Sequence, residues 1–329
     1  MRLTIPDARQ LVSRVMLALG HNDEDARLIA DHLIDCELRG LAYGGLARAI
    51  SIAERFERTG DCRRPMSILH ETPVSARLDG GDHIGYVVAH RATRLAIEKA
   101  EAAGIAMVGA SDTWYTGMLS YYAEMAAARG LVSIIASNAS PWVAPHGATE
   151  GRLGTNPICF GFPSATDPII FDIGTSAIIH AEVTLAKRLG NDLPENVAFD
   201  RDGSPTVDPS AALAGAFAVW GGHKGSGLAI AVQLLGILAG SPPIPGELAG
   251  FGYLIVAMRP DLMGPAEAFR QNVSAFADAV RSARPIAGGS PVRMPFDRSR
   301  QERARRLAEN AIEVPGLLVT QLSDIAQRA

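Results

Sequence analysis

Gly221-Gly222-His223-Lys224-Gly225-Ser226-Gly227 stands directly before an apolar run, Leu228 to Ala239, and its reading decides which nucleotide-binding folds this 329-residue chain can have. A lysine among glycines at a helix start suits an anion, because the first amides are free and the dipole is favourable. Glycine at this density costs stability and serves close backbone approach. A solvated lysine in a flexible glycine loop is the plainer alternative. The segment is not the Rossmann fingerprint: Gly225-Ser226-Gly227 and Gly250-Phe251-Gly252 both supply G-x-G, but neither has glycine three residues later. The P-loop spacing and the Ser/Thr after its lysine are missing too. A standard Rossmann dehydrogenase is disfavoured.

Working outward, three helices fill the first sixty residues. Pro6 suits a first turn, and Leu11, Val12, Val15, Met16 and Leu19 share one face before Gly20. Asn22 is a candidate N-cap with Asp23, Glu24 and Asp25 in the turn after it. A third helix runs from near Gly45 to Gly60. Beyond Cys62 the texture alternates. Strands are expected at Val74–Leu78 (followed by a turn at Asp79-Gly80-Gly81-Asp82), Ile105–Gly109, Leu131–Ala136, Ile158–Phe162, Ile169–Asp172 and Tyr253–Ala257. Helices are expected at Val87–Ala103, Tyr121–Arg129, Val183–Leu189, Lys224–Leu238, Pro265–Ala283 and Arg298–Glu313. This predicts an α/β centre, residues 73–298, and a discontinuous helical lobe from both termini, residues 1–72 with 299–329.

Composition narrows the function classes. Hydrophobic residues make up 47% and charged residues 20%, an ordinary globular balance. The net charge of −4 and the lack of a basic block before the last thirty residues argue against nucleic acid. No apolar run approaches the roughly 20 residues of a membrane span, and the N-terminus lacks the apolar core of a signal peptide. Cys36, Cys62 and Cys159 are odd in number, with neither a CxxC pair nor metal spacing. A reducing, cytoplasmic setting and no metal are therefore expected.

Two further loops stand out. Val143-Ala144-Pro145-His146-Gly147 through Leu153-Gly154-Thr155-Asn156-Pro157 is long and rich in Gly, Pro and small polar residues between apolar strands. It is a site or an elaborate turn. Phe171-Asp172-Ile173-Gly174-Thr175-Ser176 ends a strand in Asp and opens into hydroxyl residues that could cradle a phosphate or simply cap the next helix.

Taken in order, these segments resemble the malate/L-lactate dehydrogenase-like family. The matching stretches also include Leu38-Arg39-Gly40 through Arg48, Tyr121 to Ala126, Phe160-Gly161-Phe162-Pro163 and Gly221 to Gly225. The resemblance implies a non-Rossmann NAD(P)-binding fold with a central mixed sheet, and a homodimer. It implies cofactor contacts from Asp172, Ile173, Gly174, Thr175 and Ser176, from His223, Lys224 and Gly225, and from Asp297 and Arg298. It also implies that Arg48 binds a substrate carboxylate, with Tyr115, Thr155 and Asn156 beside it.

Three departures matter. Family members carry a Ser-His pair four residues before the arginine; here those positions are Tyr43 and Gly44, so the usual proton donor is missing. Tyr115 replaces a second histidine in Asp112-Thr113-Trp114-Tyr115-Thr116-Gly117. Phe296 replaces a glycine in Met294-Pro295-Phe296-Asp297-Arg298, where glycine would permit positive φ. His180-Ala181-Glu182-Val183 resembles the His-Gly-Asp-Val of the family's cyclic-imine reductases. Tyr43 and His180 are the candidate replacement acids, with Glu182 in support. His146 and Tyr115 are further candidates; His21, His32, His70 and His83 have no special context. A protonated imine accepts hydride without an enzyme acid, whereas a ketone gains ~10²–10⁴-fold from one. The expected activity is NADPH-dependent reduction of a carboxylated cyclic imine, with NAD as the other candidate cofactor. A 2-hydroxy-acid dehydrogenase with a rebuilt acid and a catalytically silent dinucleotide binder are the alternatives.

Overall fold

The structure is a computed structural model that describes residues 1–327. Strand β1 (Arg2–Thr4) leads into α1 (Ile5–Ala18), where Thr4 accepts the Asp7 amide and Val12, Val15 and Met16 are buried. Helix α2 (Asp23–Leu38) is capped by Asn22, whose Oδ1 accepts the Asp25 N–H at 2.8 Å. Helix α3 (Leu46–Thr59) stops at Gly60, which takes φ +70°. These three helices lie where apolar periodicity and capping residues place them.

The chain then forms β2 (Ser67–Thr72), β3 (Ser75–Ile84), α4 (Gly85–Ala103), β4 (Ile105–Trp114), α5 (Leu119–Ala128) and β5 (Val132–Ser137). Strands β6 (Ile158–Phe162) and β7 (Ile169–Ile173) precede α6 (His180–Leu189), β8 (Ala198–Phe199), α7 (Pro209–Ala214), β9 (Ala216–Phe217) and α8 (His223–Leu238). Strand β10 (Phe251–Met258), α9 (Ala266–Arg281), α10 (Asp297–Glu309), β11 (Ala311–Glu313) and α11 (Gly316–Ala326) complete it.

Seven strands form one mixed sheet in the order β2-β3-β4-β10-β5-β6-β7. Only β3 and β4 pair in parallel; every other neighbour is antiparallel. This is not the wound parallel sheet of a Rossmann fold. One face is packed by α4 and α5 around Val108, Tyr122, Ile135 and Ile255. On the other, α8 sets Val232 against Ala136 and Ile158. At the ends of the chain, β1 pairs with β11, α11 packs on α1 and α3, and α10 packs on α2. The α/β class, the mixed sheet and the helices gathered from both termini agree with the sequence reading. Among the described residues no helix is long and apolar enough to cross a membrane.

Three expectations need correction. Asp79-Gly80-Gly81-Asp82 is not a turn but an irregular stretch within β3, where the pairing to β4 shifts register. A Cβ on Gly80 would sit 2.8 Å from the Ser111 and Asp112 carbonyls, so these glycines admit neighbouring backbone rather than reverse the chain. Strand β2 was not expected: Ser-Ile-Leu-His-Glu-Thr lies exposed at the sheet edge and shows no alternation. The C-terminal helix ends at Glu309, because Asn310 turns left-handed (φ +47°) and lets β11 and α11 follow.

Leu322 of α11 is fully buried in the core shared with α1 and α3. Leu322→Ala is expected to cost about 2–5 kcal/mol, read as a lowered midpoint in denaturant titration. A loss within error would show that the C-terminal helix does not anchor the N-terminal ones.

Candidate active site

A cavity of about 600 Å³ lies where the N-terminal helices meet the ends of the central strands. The short 3-10 turn Ala42–Gly44 brings Tyr43 and Gly44, and α3 brings Arg48. The loop after β4 supplies Tyr115 to Met118, the end of β7 supplies Asp172, and the residue just after that strand is Gly174. Thr155, His180 at the start of α6, and Phe296 and Arg298 at the start of α10 complete its wall.

Arg48 is only 8% exposed, and its guanidinium lies 4.0 Å from the Tyr115 ring centroid. Its Nη1 is buried without a hydrogen-bond partner. An orphaned guanidinium nitrogen carries a desolvation penalty that an incoming carboxylate relieves. Tyr115 holds φ +51°, a left-handed conformation that is costly for a bulky residue and that accompanies functional sites. Burial raises its phenol pKa, against the opposing charge of Arg48.

His180 stacks on Trp142 with ring centroids 4.0 Å apart and planes 19° from parallel. Burial, then the charges of Arg48 and Arg188, push its pKa down to about 3, so the imidazole is neutral at physiological pH. Tyr43 is raised by burial and by the nearby Glu182, Cys36 and Asp172 carboxyl and thiol groups. It too stays protonated. Glu182 lies outside the cavity wall, and its Oε2 accepts the Ile179 N–H at 3.1 Å, capping α6.

Asp172 accepts the Ser120 N–H at 2.7 Å at the start of α5, and burial lifts its carboxyl to about 6 against that bond. Thr175 Oγ1 donates to the Thr155 and Asn156 carbonyls, which locks the two loops together. Ser176 Oγ is buried without a partner. The Trp220 N–H donates to Thr175 O at 2.9 Å, and Ser176 bridges to Val219, so the 172–176 segment adjoins the glycine loop. There Gly221 and Gly222 both take φ near +60°, and a Cβ on either would occupy open space with no atom nearer than 3.7 Å. Free amides at the α8 start beside an unsatisfied hydroxyl fit an anionic dinucleotide. Arg298 extends the cavity wall from the start of α10. Phe296 takes φ +74°, the left-handed region that glycine adopts most readily, and its ring lies 4.6 Å below the Arg39 guanidinium.

Of the residues singled out from sequence, Tyr43, Arg48, Tyr115, Thr155, Asp172, Gly174, His180 and Arg298 share the cavity. Ile173, Thr175 and Ser176, at and after the end of β7, and His223, Lys224 and Gly225, in the first turn of α8, lie outside its wall. Asn156 is turned into α8, where its Nδ2 donates to Ala229 O and Gln233 Oε1. Asp297 pairs with Arg281 through both carboxylate oxygens. Sequence reasoning passed over Trp142, Tyr86 and Phe251, which also face the cavity. Each comes from a different element, so no spacing could have marked them. Among the described residues no cluster of His, Cys, Asp and Glu could hold a metal ion.

The profile of the malate/L-lactate dehydrogenase family matches residues 3–323. L-sulfolactate dehydrogenase of Methanothermobacter thermautotrophicus is 32% identical, over 99% of this chain and 97% of its own. The Δ1-pyrroline-2-carboxylate/Δ1-piperideine-2-carboxylate reductase of Pseudomonas syringae pv. tomato is 31% identical, over 94% and 92%. The crystal structure of a dehydrogenase from Sinorhizobium meliloti superposes with TM-score 0.91 at 33% identity, covering 99% of this chain and 98% of that one. With its mixed sheet, its cavity and these full-length likenesses, the chain belongs to the malate/L-lactate dehydrogenase family of nicotinamide-dependent oxidoreductases.

Proposed function

We propose that this protein reduces a small carboxylated cyclic imine, of the Δ1-pyrroline-2-carboxylate or Δ1-piperideine-2-carboxylate kind, with NADPH as preferred and NADH as alternative reductant. The observation that carries this reading is the protonation chemistry of the cavity wall. Gly44 offers no acid, burial pushes His180 down to about 3 so that it is neutral, and burial raises Tyr43 and Tyr115, which makes them weaker acids. A substrate that brings its own proton as an iminium needs none of them. The reduced nicotinamide, when bound, supplies hydride. Arg48, on the cavity wall with an unpartnered guanidinium nitrogen, receives the substrate carboxylate, and Tyr43, Tyr115 and Trp142 add aromatic character to the same wall.

One observation favours a second reading, a 2-hydroxy-acid dehydrogenase. Burial is the main cause that depresses His180 and the Arg48 charge the next, and a bound carboxylate offsets the second. That moves His180 part of the way back toward a usable acid.

A substrate panel decides between them. Cyclic imino acids are expected to give kcat/KM at least about tenfold above pyruvate or oxaloacetate with either cofactor; faster 2-keto-acid reduction would favour the second reading. Arg48→Ala is expected to lower kcat/KM by roughly 100-fold. NADPH fluorescence with binding but no turnover on any of these would point to a silent dinucleotide binder.

We also propose that the protein works as a homodimer. On the sheet face opposite α4 and α5, Met107, Val256, Ile134, Phe160 and Phe171 stand directly opposite one another across five strands. Ile105, Met258 and Val132 form a second row beside them. Ile105, Met107 and Phe171 are exposed, as are Ile230, Leu234 and Leu238 on the outer side of α8. Five strands about 4.8 Å apart and a helix about 24 Å long offer several hundred square ångströms, the scale each partner of a standard dimer contributes. A second copy presenting the same neutral face is self-complementary. The wild-type protein is expected to scatter light as twice the chain mass, and Met107→Glu with Leu234→Glu as a single chain; a monomeric wild type would contradict this. The three cysteines, all free, favour a cytoplasmic setting, and the contacts of α10 and α11 with α1 to α3 favour a division into residues 1–72 with 299–329 and residues 73–298.

A further inference from the structure

Two buried polar side chains of α2, neither on the cavity wall, each accept a main-chain N–H from a segment that reaches that wall. Glu37 is 2% exposed, and its Oε1 accepts the Leu46 N–H at 2.8 Å. Leu46 is the first residue of α3, whose N-cap Gly45 has no side chain to satisfy the free amides. A Cβ at Gly45 would lie 2.2 Å from that same Oε1, so glycine is there to let the carboxyl reach in. Burial costs Glu37 enough to lift its carboxyl to about 7, against the Leu46 bond and the nearby Arg306. An apolar side chain would fill this space at lower cost. What the carboxyl contributes is the fixed first turn of α3, and Arg48 is the third residue of that turn.

His32, five residues earlier on α2, is fully buried, and its Nε2 accepts the Met118 N–H at 3.0 Å. Tyr86 and Tyr121 pack around it with ring centroids 4.5 and 4.6 Å away. Burial drives its pKa to about 3, so it stays neutral and keeps its acceptor lone pair. Gly117 must be glycine, because a Cβ there would lie 2.5 Å from Nε2. The segment so anchored, Tyr115 to Met118, carries the ring on which Arg48 stacks. The guanidinium and the ring beneath it are thus each fastened, through a main-chain amide, to the same helix.

We propose that Glu37 and His32 are positioning residues: α2 holds the Arg48–Tyr115 pair in the geometry that receives the substrate carboxylate. The inference rests on the reading of Arg48 as the carboxylate site. It assigns to α2 no contact with substrate and no proton transfer. Misplacing a binding group by about 1 Å is enough to cost up to two orders of magnitude.

The test is calorimetric binding of pyrrole-2-carboxylate, a flat carboxylate that cannot be reduced as an imine, alongside steady-state kinetics with Δ1-pyrroline-2-carboxylate and NADPH. Glu37→Ala and His32→Phe are expected to weaken binding and raise KM about tenfold or more, with kcat changed much less. Glu37→Gln, which keeps an acceptor for Leu46, is expected to bind within about threefold of wild type. His32→Phe keeps the aromatic packing and removes only the acceptor, so it reads positioning even where Glu37→Ala folds poorly. Wild-type binding in both variants, while Arg48→Ala abolishes it, would overturn this proposal alone. Wild-type binding in Arg48→Ala would overturn the carboxylate reading and this one with it. A lowered melting temperature with unchanged binding and KM would leave Glu37 and His32 as fold residues only and would equally contradict the proposal.

Discussion

A guanidinium taken out of water, laid on the face of Tyr115 and left with one nitrogen unsatisfied is the constraint around which the cavity is arranged. A buried cation without an anion is expensive, and the surrounding structure accommodates that expense. Tyr115 accepts a left-handed backbone, α2 fixes both members of the stack, and His180 and the nearby phenols are kept uncharged. The site is poised for an anionic ligand that completes it. Burial is the main reason His180 resists protonation, and the Arg48 charge adds to it, so on the proposed reading a carboxylate bound at Arg48 also bears on His180.

That coupling gives meaning to the replacements at 43, 44 and 115. On the proposed reading, Gly44 removes one acid from the wall while Arg48 and the 172–176 and 221–225 segments keep their places around the cavity. The proton then comes from the substrate. Phe296 follows a similar logic: the left-handed turn persists without glycine, and the strain is offset by a ring stacked under Arg39 and packed near the sheet core. Thr175 ties the 155–156 and 172–176 segments together, and Trp220 ties the glycine loop to the second of them.

Local signals made much of the fold legible. Asn22 caps α2, and Gly20, Gly60 and Gly104 end helices in the left-handed region. The apolar runs at 131–136, 158–162 and 253–257 lie within or close to β5, β6 and β10. Elements whose identity depends on distant partners were not legible. Strand β2 is exposed and unpatterned, β1 and β11 exist only by pairing with each other, and the glycines at 80 and 81 read as a turn until β4 is beside them. The site divides the same way. Arg48, Asp172 and the glycine loop stand in segments that resemble family motifs. Glu37 and His32 do not, because a buried Glu is indistinguishable from a surface one until the helix start it caps has been packed against it. In the sequence His32 has no special context; in the fold its context is the Met118 amide, eighty-six residues away.

The central claim is that the substrate, not the protein, carries the proton. Its most direct test is the pH dependence of kcat/KM for two cyclic imino acids of different ring size and basicity. If the claim holds, the limb at higher pH moves with the iminium pKa of each substrate and survives His180→Ala and Tyr43→Phe unchanged in position. A limb at one fixed pH for both substrates, lost or displaced in either variant, would show an enzyme acid at work and contradict it.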